Sequence, residues 1–69
     1  MNVTLNGQSA NLRDEATVFD AVLSLNPTDA AMRGVAVAVN GEVVSRAAWR
    51  TLQLHEDDRV EVLRAVGGG

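Results

Sequence analysis

Three consecutive glycines, Gly67, Gly68 and Gly69, follow an apolar run directly, and they are the residues of this sequence best suited to unusual chemistry. A triglycine has no side chain to pack and carries the highest backbone entropy cost of ordering, so it adds nothing obvious to stability. Its use lies in binding. Glycine lets a backbone thread a narrow channel, and the four residues from Val66 to Gly69 extend at most about 13–14 Å. That reach is enough to carry the carboxylate of Gly69 into the active site of another protein. The competing reading is an inert, flexible end; the absence of any polar spacer between the last apolar run and the glycines favours a working arm.

The side chains offer little else. There is no cysteine, which removes thiol nucleophiles, thiolate metal sites and disulfides together, so any sulfur chemistry must use another group. The lone His55 lies among Gln53, Leu54, Glu56 and Asp57, a neighbourhood that reads as a solvated turn, because a metal site needs three or four convergent ligands. Glu56, Asp57 and Asp58 lack the ligand spacing and the glycine of a calcium loop. Ser9, Ser24 and Ser45 have no histidine nearby to activate them. Gly7 and Gly41 belong to turns and have no lysine with which to form a phosphate-binding loop. The sequence contains no lysine at all, so copies of this chain cannot be joined to one another through side-chain amines.

With 69 residues the chain makes one domain, and a domain of this size buries only roughly 60% of the surface its unfolded form exposes, leaving no room for a deep catalytic cleft. Paired carboxylates for acid and base work would need such a cleft. Nine acidic residues against six arginines give a net charge of −3. No basic patch stands out, which argues against nucleic acid as a partner. Neither a signal-like start nor a run approaching the roughly 20 apolar residues of a membrane span is present, and a cytoplasmic location is expected.

The elements that must position the tail follow from periodicity. Met1, Val3 and Leu5 alternate with Asn2, Thr4 and Asn6 as in a strand with one buried face, Asn6-Gly7 is a hairpin signal, and Gln8 to Leu12 returns with Ala10 and Leu12 on one face. Thr17 and Asp20 resemble a capping box with a shorter acid, and Val18, Phe19, Val22, Leu23 and Leu25 recur at helical spacing, predicting a helix over 18–25. Asn26-Pro27 ends it, and Thr28 to Gly34 is a polar connection with room for one helical turn. Val35 to Val39 alternates valine and alanine as an interior strand, Asn40-Gly41 turns the chain, and Glu42 to Val44 returns. Ser45 to Arg50 makes a turn that folds Trp49 onto a core otherwise poor in aromatic residues. Leu52 and Leu54 mark a minor edge strand, Glu56 to Asp58 a charged turn, and Arg59 to Ala65 a last strand with Val60 and Val62 on one face.

This order predicts an α+β fold of the β-grasp, or ubiquitin-like, kind: a mixed sheet packed on one helix over residues 1–66, with a flexible glycine tail at 67–69. If the valines point inward, Ala36, Ala38, Leu63 and Ala65 point outward near the tail, forming an apolar patch flanked by Arg64 and Glu61. Such a patch, with Gly67 and Gly68 as the delivery arm, is a candidate surface for a partner enzyme, although scattered exposed apolar residues are normal on any surface.

The chain also resembles the ThiS family of sulfur carriers of thiamine biosynthesis over essentially its whole length. The likeness lies in Val37-Ala38-Val39-Asn40-Gly41-Glu42-Val43-Val44, in Arg46 followed by Trp49, in Asp57-Asp58-Arg59-Val60-Glu61-Val62, and in the ending Ala65-Val66-Gly67-Gly68-Gly69. Two departures are visible: Ser45 stands where a proline is expected before Arg46, and there are three terminal glycines where two suffice. The resemblance implies that an adenylating enzyme uses ATP and magnesium to convert the Gly69 carboxylate to an acyl adenylate. A persulfide-bearing protein then supplies sulfur to make a thiocarboxylate, and thiazole synthase receives it. The carrier itself would be no enzyme and would hold no cofactor of its own. The alternatives are the small subunit of molybdopterin synthase, a ubiquitin-like protein modifier, and an interaction domain with an inert tail.

Overall fold

The computed structural model describes residues 1–25 and 34–64. Strand β1 (Asn2–Leu5) turns through Asn6-Gly7 into β2 (Gln8–Asn11), helix α1 (Val18–Leu25) follows, and β3 (Val35–Val39) turns through Asn40-Gly41 into β4 (Glu42–Val44). A 3-10 turn (Arg46–Ala48) and an extended stretch lead to β5 (Arg59–Arg64). The five strands form one mixed sheet in the order β2-β1-β5-β3-β4, in which only the β1–β5 pair is parallel. One face of the sheet is covered by α1, which is the β-grasp arrangement expected from the sequence. No helix among the described residues is long and apolar enough to cross a membrane.

Both two-residue turns take left-handed backbone at both positions, with φ of 49° and 83° at Asn6-Gly7 and 51° and 86° at Asn40-Gly41. Asparagine tolerates that region and glycine occupies it without steric cost, which is why the Asn-Gly pair makes hairpin turns whose twist matches the strands. The helix entrance is a reciprocal cap: the Thr17 backbone N–H donates to Asp20 Oδ2 at 2.9 Å, and the Asp20 N–H donates to Thr17 Oγ1 at 3.4 Å. The Thr17 hydroxyl and Arg13 also donate to the same carboxylate oxygen, at 3.2 and 2.9 Å. The Thr17 backbone hydrogen bond, opposed by partial burial and helped by Arg13 and the Thr17 hydroxyl, holds the Asp20 carboxyl below the ordinary aspartate range.

The core lies between sheet and helix and consists of Val3, Leu5, Val18, Ala21, Val22, Val37, Trp49, Leu54, Val60 and Val62. Val35 and Val39 pack against it from the ends of β3. Trp49 is buried as expected, and its ring Nε1–H donates to the Val44 carbonyl at 3.2 Å, so its one polar atom is satisfied. The chain pairing beyond β2 continues through Leu12, whose N–H donates to the Met1 carbonyl at 2.8 Å.

One expected element is absent. Leu52 and Leu54 do not lie on an edge strand of the sheet; their segment pairs instead with the chain entering α1, through the Thr17–Gln53 bridge and the bonds Val18 N–H to Leu52 O and Leu54 N–H to Ala16 O. The partner becomes helical at Val18, so the ladder stops after one bridge. Leu54 is a core residue at 1% exposure. The helix stop at Asn26-Pro27 and most of the Thr28 to Gly34 connection lie outside the described residues, as do Ala65, Val66 and Gly67 to Gly69.

Candidate functional site

Strand β5 leads into the glycine tail, and it is the middle strand of the sheet. On one side it pairs in parallel with β1, matching Thr4 to Arg59 and Leu5 to Val60; on the other it pairs along its length with β3, from Val39 opposite Val60 to Val35 opposite Arg64. The β1 partner ends at Leu5, where the chain turns away. The Asn6 side chain takes over: its Nδ2 donates to the Val62 carbonyl at 3.2 Å and its Oδ1 accepts from the Val62 N–H at 2.7 Å. A carboxamide thus stands in for the next peptide unit and satisfies both backbone polar groups of Val62.

A second asparagine does the same at the start of β5. The Asn40 N–H donates to the Arg59 carbonyl at 2.8 Å, Asn40 Oδ1 accepts from the Arg59 N–H at 2.9 Å, and Asn40 Nδ2 donates to Asp58 Oδ1 at 2.9 Å. The strand that carries the tail is therefore gripped from both neighbouring turns. Sequence reasoning read Asn6 and Asn40 only as turn residues; their clasps depend on strand register, which composition does not reveal.

The outward face of the sheet brings together most of the expected patch. Ala36 pairs with Leu63, and Ala38 pairs with Glu61 on one side and Val43 on the other. Leu63 is 69% exposed, while its neighbours Val60 and Val62 on the opposite face are buried. Ala65 lies outside the described residues. Val43 extends the patch across β4 and is the most exposed large apolar residue of the described chain, at 82%. The expectation had omitted it, although the two-residue turn at Asn40-Gly41 fixes Val43 opposite Ala38 and could have identified it. Glu61 flanks the patch as expected. Arg64 does not, because strand alternation puts it in register with Val35, in phase with the helix side.

The other candidates have structural roles. His55 is exposed, with its Nδ1 3.9 Å from Asp58 Oδ2. Asp58 Oδ2 accepts from the His55 N–H at 2.8 Å, and the Glu56 carboxylate accepts from the Asn2 N–H at 3.1 Å. Asp57 takes a left-handed φ of 69° and donates its N–H to the Asn2 carbonyl at 2.7 Å. The acids thus shape the turn that feeds β5 between its neighbours. No group of three or more metal-ligating side chains occurs among the described residues. Ser24 spends its hydroxyl on the Ala21 carbonyl of its own helix at 2.7 Å.

Comparison with known proteins gives this architecture a family. A family model described as the ThiS family matches residues 3–69. The crystal structure of a thiamine biosynthesis protein (ThiS) from Geobacter metallireducens is 34% identical, covers both chains completely and superimposes with a TM-score of 0.76. The solution structure of a thiamine biosynthesis protein from the same organism gives 32% identity over the whole of this chain and 88% of the other, with the same TM-score. SAMP1 from Haloferax volcanii shares the fold at 20% identity, covering this chain and 98% of its own, with a TM-score of 0.60. A thiazole synthase from Magnetococcus marinus contains a stretch 36% identical to all 69 residues, and the chain spans 20% of that protein's length. With the match running through the glycine ending and a full-length structural relative above 30% identity, the chain belongs to the ThiS family.

Proposed function

We propose that this protein is a sulfur carrier for formation of the thiazole half of thiamine, and that the Gly69 carboxylate carries the sulfur. The observation that supports this most is the joining of a ThiS-family domain without cysteine to a glycine tail that follows its central strand. A carboxylate is a poor electrophile. Transfer of AMP from ATP by an adenylating enzyme releases pyrophosphate and makes an acyl adenylate whose leaving group is AMP. The terminal sulfur of a persulfide on a donor protein attacks the acyl carbon and AMP departs. A thiol then cleaves the remaining sulfur–sulfur bond, and the thiocarboxylate is left on Gly69.

Thiazole synthase is the acceptor in this reading. The occurrence of a stretch like this chain inside a protein named thiazole synthase supports it, since activities that work in succession are often joined. ATP, magnesium and proton-transfer groups belong to the partners, and the carrier acts as their protein cosubstrate in the cytoplasm. The outer face formed by Ala36, Ala38, Val43 and Leu63, together with Ala65, is the docking surface, and Gly67 and Gly68 are the delivery arm of the Gly69 carboxylate. The absence of lysine means that an activated Gly69 finds no side-chain amine on another copy, which favours transfer to sulfur over self-linkage.

Intact-mass measurement on protein isolated from cells tests the reading directly. Replacement of one terminal oxygen by sulfur is the expected result; unmodified protein or lysine-linked adducts alone would count against it. Deleting Gly69 should abolish ATP–pyrophosphate exchange by the adenylating enzyme while circular dichroism shows an unchanged fold. Exchange that survives the deletion would contradict the assignment.

A further inference from the structure

Asn40 is followed by glycine, is exposed on a turn, and has both ends of its carboxamide committed to the entrance of β5. Asparagine before glycine is the pairing most open to intramolecular attack, because no side chain on the following residue hinders approach of its backbone nitrogen to the asparagine Cγ. Here the native geometry opposes that approach: Oδ1 is held by the Arg59 N–H and Nδ2 by Asp58 Oδ1, each at 2.9 Å, so the carboxamide is drawn towards β5. Asn6-Gly7 repeats the arrangement, but its clasp on Val62 is partly buried where the Asn40 clasp is exposed.

We propose that Asn40-Gly41 is a self-modification site, a deamidation that the clasp on β5 suppresses and that loosens β5 once it has occurred. In the reaction the Gly41 nitrogen gives up its proton to solvent base and bonds to Cγ of Asn40, and the Cγ–Nδ2 bond breaks to release ammonia. Water then opens the five-membered imide at either carbonyl, leaving an aspartate or an isoaspartate at position 40. The aspartate keeps the tolerance for left-handed backbone. What it loses is the Nδ2 donor, and it places a second carboxylate against Asp58 where a hydrogen bond had been. Because Asp58 and Arg59 open the strand that leads to the glycine tail, damage at position 40 is felt at the base of the tail-bearing element.

The arrangement of arginines makes the test clean. Cleavage after arginine isolates Asn40 in the peptide 34–46 and Asn6 in the peptide 1–13. The whole protein is incubated at mildly alkaline pH, folded or in guanidinium chloride, and the conversion of amide to acid in each peptide is followed by mass spectrometry. Deamidation at both sites should be at least about tenfold slower in the folded protein, because two side-chain hydrogen bonds must open first, and Asn40 should react faster than Asn6. Asp58→Ala should accelerate position 40 about tenfold in the folded protein and leave position 6 unchanged. As a check on consequence, Asn40→Asp should lower the melting temperature, and Asp58→Asn in the same chain should restore part of the loss. Equal rates at Asn40 in folded and unfolded protein, equal acceleration of both sites by Asp58→Ala, or an Asn40→Asp protein as stable as the parent would each overturn the proposal.

Discussion

Replacing Leu63 by aspartate separates the proposed docking face from the fold, because this side chain stands on the outer face and not in the core. Leu63 lies on the outer side of the central strand and is 69% exposed, so the folded domain gains little from it. Full burial of a leucine side chain is worth roughly 1.5–3 kcal/mol, and covering the exposed two-thirds of this one under a partner corresponds to about 1–2 kcal/mol. That alone is roughly a 5- to 30-fold change in affinity. Aspartate forfeits this gain and also asks the partner to desolvate a carboxylate, so the weakening should reach at least about tenfold. Stability should change by no more than about 1 kcal/mol, the span of strand propensities at an exposed site. The assay is ATP–pyrophosphate exchange by the adenylating enzyme, titrated with carrier, beside thermal unfolding of the same preparations. Ser9→Asp, on the polar half of the same outer face, is the control for added charge. A folded Leu63→Asp protein with unchanged half-saturation, or equal weakening by both variants, would refute the reasoning.

Other expectations concern the fold that presents the face. Leu54→Ala removes a fully buried side chain between the helix entrance and the sheet, and should cost about 2–5 kcal/mol in urea unfolding; a smaller loss would mean that the neighbouring chain collapses into the space. Asp20→Ala should lower stability at neutral pH by roughly 0.5–2 kcal/mol through loss of the helix cap. Because the folded-state carboxyl is held below its ordinary value of 3.8, its contribution is present above that value and is lost as pH falls through the lower folded value. The difference between parent and Asp20→Ala should therefore shrink in acid, and a constant difference would refute the assignment. Trp49→Phe should cost about 1 kcal/mol for the bond to the Val44 carbonyl, beyond any change in packing, and a backbone-exchange measurement at the 3-10 turn would register the loosening.

How much of this was legible in the sequence depends on the range of the cause. The hairpin turns, the helix and its cap were readable because Asn6-Gly7, Asn40-Gly41 and Thr17 to Asp20 act through neighbours in the chain. The burial of Trp49 followed from the scarcity of other large side chains. Leu52 and Leu54 misled because their alternation is that of a strand, while the partner that decides their pairing is the segment at Ala16 to Val18, far away in sequence and about to become helical. The clasps of Asn6 and Asn40 were invisible for a related reason: which backbone groups of β5 lack a neighbour is set by where β1 and β3 stop. Val43 was within reach, since turn length alone places it opposite Ala38. The sulfur chemistry proposed for Gly69 is not written in periodicity or composition; it rests on likeness to a family, and the family match supports that likeness.

The position of β5 has a consequence for how the molecule is made. The strand that completes the sheet is the last of its five to be synthesised, and its parallel contact with β1 joins residues far apart in the chain, such as Leu5 and Val60. Until it inserts, β1 and β3 are unpaired margins of two separate hairpins, each too small to persist alone. Closing so long a loop is entropically costly and slow, so it comes late in folding. The outer face needs Leu63 beside Ala36, and that contact exists only after insertion. A partner that recognises this face would therefore meet only chains in which β5 has been made and inserted.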